Sequence, residues 1–222
     1  MLQIIPTKNS YGVKILGDYG DLHSLYSTLS NYYDEDSNDI ALSQRGRLLT
    51  IMSYDIRHAY QHDRECEELM YDSDNKVTYY GCYTDWVTLL FSVACLKCNL
   101  SELQTSDLDR ANVFLLSHRC REILTELSGG NSTLFDRCLK LIPVNHRLIY
   151  FFHQNAVREF FFFPSANKIE ALYEAISFIC DKNSEGFNRI TTGWEDILRT
   201  EPNKLDCYEF NDDFTLPDYK EW

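Results

Sequence analysis

The sequence predicts an α+β fold, mostly helical, with an N-terminal β-hairpin, a long central helix and a second, aromatic-rich hairpin. Three observations carry that prediction. Two short apolar runs, Leu2 to Ile5 and Tyr11 to Leu16, flank a Lys8-Asn9-Ser10 stretch able to turn. Apolar residues then recur at helical spacing through most of the chain, above all at Leu48, Met52, Ile56 and Ala59. Finally, LIYFFHQNAVREFFFFP concentrates aromatic and β-branched residues on both sides of a polar middle.

Taken in order, Gly17 and Gly20 with their neighbouring Asp residues end the first hairpin. Leu22, Leu25, Tyr26 and Leu29 predict a helix from about Asp21 to Tyr33, with Asp21 as N-cap. An acidic loop, Tyr33 to Asp39, separates it from the central helix, which we extend from Ser43 to Met70. A second acidic turn, Tyr71 to Asn75, leads into an alternating strand, Lys76 to Tyr83, in which Gly81 marks a bulge or a close approach. Helices follow at Asp85 to Lys97, capped by Thr84 or Asp85, and at Ser106 to Leu127, stopped by Gly129-Gly130. Ser132 opens a short helix that Pro143 closes. Leu148 to Phe152 and Val157 to Phe163 read as two strands, with His153 in the turn between them. Ser165 caps a last helix through Ile179. Residues 1–180 form one domain in this reading. Residues 181–222 are an acidic extension whose interspersed aromatics suit a partner.

Composition narrows the function. With 34 acidic against 21 basic residues in a chain of 222, the formal charge of −13 opposes binding along a phosphate backbone. No direct nucleic-acid ligand is expected, and the acidic surface suits basic protein partners. Eight cysteines scattered along the chain, with no signal peptide ahead of them, point to a reducing cytoplasmic setting. The longest apolar run, near Val87 to Leu96, is too short for the roughly 20 residues of a membrane span. No cofactor is implied.

Chemistry gathers in one place, SYDIRHAYQHDRECEE, from Ser53 to Glu68. If that stretch is helical throughout, Asp55, His58, His62 and Glu65 stack along one face. His58 and His62 could then share a metal with Glu65 or Asp55, as in a metal-dependent hydrolase. A solvated face of opposite charges explains the same spacing. Arg57 and His62 match the Arg-x(4–6)-His spacing of HEPN ribonucleases, with His62 as general base and Arg57 on phosphate. On one helix the two side chains stand about 140° apart at 100° per residue, so a second chain would have to complete that site. Arg147 and His153 repeat the spacing within a predicted hairpin, where it means little. Cys95 and Cys98 have redox or zinc spacing, but Cys95 lies in an apolar helical run and reads as a packed thiol. The run Phe160 to Phe163 reads as core.

The opening IPTKNSYGVKILGDYGDLHSLYSTL and the central SYDIRHAYQHDRE together resemble a bacterial family of uncharacterised function with an N-terminal hairpin and a Tyr-Asp-x-Arg-His-Ala-Tyr-Gln helix. The resemblance covers about the first 70 residues. In size and acidity the chain is also similar to the small middle subunit of Lamassu-type antiphage systems. That resemblance implies a non-catalytic scaffold or adaptor that bridges an SMC-like ATPase and a nuclease effector. Under it, Tyr54, Asp55, Arg57, His58, Tyr60 and Gln61 form a structural polar cluster in which these groups satisfy one another.

Overall fold

A computed structural model describes residues 1–32, 39–70, 76–163 and 167–201. Among them are eight helices and a four-stranded antiparallel sheet, an α+β architecture in which helix dominates. The first hairpin pairs β1 (Gln3–Pro6) with β2 (Gly12–Gly17), Ile4 opposite Ile15. β2 is buried along its whole length because a second strand, β4 (Lys76–Asp85), covers its other edge. β3 (Glu65–Met70) joins the outer edge of β4, giving the order β1-β2-β4-β3. Gly81 stands opposite Leu16, and a Cβ there would lie 2.8 Å from Lys14 Cε. The glycine therefore marks a close approach, as the sequence suggested.

Helix α1 (Tyr19–Asn31) is antiparallel to α2 (Ile40–Tyr60), and α2 in turn packs on β4 and on α3 (Trp86–Glu102). The N-cap of α1 is Asp18. Asp21, expected as the cap, instead completes the capping box at its third position, three residues after Asp18. Asp85 caps α3 and Ser106 caps α4 (Asp107–Leu127), which stops at Gly129 (φ 68°) and Gly130 (φ 95°). Short α5 (Leu134–Leu141) is followed by α6 (Ile149–Phe162), α7 (Lys168–Cys180) and α8 (Glu185–Thr200). The predicted loop before Asp39, the turn 71–75, the Ser165 cap and the tail from 202 onward lie outside the described residues. The cap that is described on α7 is Asn167.

Three expectations are corrected. The central helix ends at Tyr60, not Met70, because a Schellman motif closes it. Asp63 N–H donates to the His58 carbonyl at 2.9 Å, His62 N–H donates to Ala59 at 3.1 Å, and His62 occupies the left-handed position at φ 69°. A glycine usually announces that position, and none is present. The chain then reverses into β3. Second, the aromatic-rich segment is helix α6, not two strands. It is buried at Phe152, Ala156 and Phe160, a four-residue repeat that sheet propensity concealed. His153 is accordingly a buried helical residue, not a turn. Third, the segment after Asp181 begins with a helix that packs. Ile190, Trp194 and Leu198 are buried at spacings of four, and Trp194 lies 4.0 Å from the Phe151 ring.

Candidate functional site

The end of α2 distributes its polar residues in several directions. Asp55 is paired with Arg64 at 2.9 Å, and His58 Nδ1 lies 2.9 Å from Asp63. Both contacts tie the turn after the helix back onto its last two turns. His62 packs edge-on against the Tyr80 ring of β4, at 4.6 Å between centroids. Glu65 faces Lys14 of β2 at 3.5 Å. His58, His62 and Glu65 therefore have separate neighbours, and no group of three metal-ligating side chains occurs among the described residues. Arg57 and His62 likewise do not meet. The helix stop explains why His58, His62 and Glu65 separate, since the face that would have aligned them ends at Tyr60, whereas Arg57 and His62 would stand apart even on a continuous helix.

What α2 does assemble is an aromatic face with α1. Tyr60 collects the rings of Tyr19, His23 and Tyr26 at 5.5, 5.5 and 5.7 Å, and Tyr19 stacks on His23. Tyr54 packs against His58 at 4.3 Å, and the Arg57 guanidinium lies 5.5 Å from the Tyr54 ring centre. Tyr19 is 54% exposed and Tyr54 50%. Large aromatic rings left half in water around an arginine match the composition of protein-binding hot spots. Gln61, the C-cap, is exposed beside them.

Between the two helices this face opens into a cavity of about 210 Å³, lined by Tyr26, Leu29, Ser30, Thr50, Ser53, Tyr54 and Arg57. Among the described residues, Arg57 Nε is buried and has no hydrogen-bond partner. A buried donor left unmade costs about 1–3 kcal/mol. His58 Nε2, on the neighbouring residue, is also buried and unpartnered.

Two polar clusters that sequence reasoning missed lie deeper. Arg45, only 1% exposed, donates from Nε to Asn99 Oδ1 at 2.8 Å and from Nη1 to the Val144 carbonyl at 3.1 Å and Asn145 Oδ1 at 2.8 Å. Its Nη2 pairs with Glu102. The signal was there, since Arg45 falls on the apolar stripe between Leu42 and Leu48. The second cluster joins Asp85, Thr88 and His153. Thr88 N–H donates to Asp85 Oδ1 at 2.8 Å, its hydroxyl reaches Oδ2 at 2.6 Å, and His153 Nε2 lies 2.9 Å from that hydroxyl. Gln154 Nε2 sits 3.3 Å from His153 Nδ1. With the Thr88 hydroxyl donating to the carboxylate, His153 must donate from Nε2, and Nδ1 is left to accept from Gln154. Burial drives the His153 pKa down to about 3 and pushes that of Asp85 up, against the hydrogen bonds from Thr88. All three residues are buried, so the cluster works as structure.

The cysteines follow the same pattern. Cys82, Cys95, Cys120, Cys138 and Cys180 are buried, and burial raises each thiol pKa. Cys98, half-buried, is pushed up to about 11 by burial. Cys95 and Cys98 therefore lack the lowered pKa of a reactive pair.

A family model described as a domain of unknown function, DUF6904, matches residues 2–222. The chain belongs to the DUF6904 family. No curated protein and no solved structure matches it. Since the family match spans nearly the whole DUF6904 chain, the sheet, the α1–α2 face and α8 all fall within it. Among the described residues, no helix is long and apolar enough to cross a membrane.

Proposed function

We propose that this DUF6904 protein is a non-catalytic docking subunit of a multiprotein assembly, and that it binds through the α1–α2 face. The observation that carries the reading is the half-exposed tyrosine cluster, Tyr19 and Tyr54 beside Arg57, set on two rigid packed helices. Tyrosine and arginine supply much of the energy at protein interfaces, and helical placement fixes them before the partner arrives. The partner is a protein of basic overall surface, because a chain of charge −13 repels acidic ones at long range. In this reading, which the similarity in size and acidity to Lamassu-type small subunits supports, the assembly belongs to cytoplasmic antiphage defence, with an SMC-like ATPase and a nuclease effector as the bridged proteins. The seven described cysteines, all free thiols, support a reducing compartment.

The test is co-expression of the full chain with the products of its neighbouring genes, followed by size-exclusion chromatography. A Tyr19→Ala/Tyr54→Ala double variant keeps its fold, since both rings are half exposed, and weakens the complex by about 2 kcal/mol or more. Co-elution of the double variant at wild-type strength would retire this face. RNA cleavage by the isolated chain that disappears in His62→Ala would retire the non-catalytic reading and favour the ribonuclease.

A further inference from the structure

We propose that the cavity between α1 and α2 receives one carboxylate, the side chain of an Asp or Glu on the partner protein, and that Arg57 holds it. The inference rests on the docking reading above and specifies what enters that face. Arg57 lines the cavity with its guanidinium over the Tyr54 ring, and among the described residues its buried Nε meets no acceptor. Among the described residues no acidic side chain pairs with Arg57, although acids outnumber bases along the chain. Asp55, the nearest in sequence, is held by Arg64, and Asp63 by His58.

The lining decides the class of ligand. Ser30 and Ser53 bring hydroxyls to the cavity, Tyr26 and Tyr54 bring rings, and Arg57 brings one positive charge. One guanidinium neutralises one carboxylate and matches its two oxygens with paired N–H groups. A phosphate monoester carries close to two negative charges and would stay half-neutralised here. The cavity, about 210 Å³, is also below the roughly 300–1,000 Å³ of ordinary small-molecule sites. It has room for a side chain. Because the whole chain is strongly negative, the fitting partner is basic around a single carboxylate, which sets the register of docking.

The experiment uses the full chain with isotope-labelled arginine and backbone amides, followed by NMR at constant ionic strength. The probes are a doubly blocked glutamate, the corresponding blocked glutamine, and inorganic phosphate. Blocked glutamate shifts the Arg57 Nε–H signal and the Ser30 and Ser53 amides saturably, and blocked glutamine does not. In Arg57→Gln the amide response weakens about tenfold or more. Equal responses to glutamate and glutamine, a response that survives in Arg57→Gln, or tighter binding of phosphate than of glutamate would each overturn the proposal. The two readings fail differently. If docking on this face is wrong, the Tyr19→Ala/Tyr54→Ala variant still co-elutes while wild type keeps its glutamate response. If the carboxylate is wrong, co-elution persists in Arg57→Gln and the glutamate response is missing.

Discussion

His153 illustrates how one buried residue sets a property of the whole chain. Its ring is enclosed by α3 and α6, where it bonds Thr88 and contacts Phe91 at 5.4 Å. Charging it there is costly, which is why its pKa falls to about 3. In the unfolded chain it titrates near its ordinary value of about 6.5. Between those values the unfolded state binds a proton that the folded state refuses, so stability falls as pH falls through this window. The slope is about 1.4 kcal/mol per pH unit. Asp85, whose pKa is raised by burial, works in the opposite sense, since protonating it relieves a cost of the folded state. Replacing His153 by Gln keeps a neutral donor toward Thr88 and leaves Asp85 in place. Urea denaturation at pH 6.5, 5.5 and 4.5 will therefore show a shallower loss of stability in His153→Gln than in wild type. Parallel pH profiles would mean that His153 is not held neutral.

At the level of elements, the contrast between α2 and α6 is instructive. The N-terminal part of α2 was legible because its apolar residues keep helical spacing. Its end was not, because the left-handed stop is made by His62, a residue type with no strong turn signature. In α6 the aromatic content favoured strand, yet the helix wins because one of its sides fits against α2, α3 and α7. α8 shows how tightly such a fit can be made. A Cβ on Gly186, in its first turn, would lie 2.4 Å from the Phe178 carbonyl oxygen of α7. Gly186→Ala must then push α8 off α7, at a cost of about 1–3 kcal/mol. Hydrogen exchange will register it as loss of protection confined to α8, with α2 and the sheet unchanged. Unaltered protection in α8 would show that the crossing has slack.

Across the whole molecule, Arg45 is the residue that joins distant parts. From α2 it reaches Asn99 and Glu102 on α3 and the Val144–Asn145 turn between α5 and α6. A buried guanidinium is tolerable only with its donors satisfied, and these acceptors supply that. Removing it strands the Asn99 side-chain oxygen in the interior and unties Glu102 and the Val144–Asn145 turn from α2. Arg45→Met will lower the stability to urea by roughly 3 kcal/mol or more, and Arg45→Lys will recover little, because one ammonium cannot span the fork. Near-wild-type stability of Arg45→Met would show that the clamp is dispensable. The same accounting gives the α1–α2 face its weight: Arg45 has its acceptors inside the chain, whereas among the described residues Arg57 Nε has none.

By itself, the sequence determined the elements whose identity is local: the opening hairpin, the α3 cap to within Thr84 or Asp85, the stop at the Gly129-Gly130 pair, and α3 and α4. Spacing and capping residues act within a few positions, so they can be read along the chain. It also marked the stretch around Arg57 as chemically dense. Only the tertiary structure decided what that density does. Whether a polar side chain on α2 meets a partner depends on which neighbours close around it. Asp55 and His58 turn to the next loop, His62 to the sheet and Glu65 to Lys14, while Arg57 is left beside a cavity walled by a separate helix.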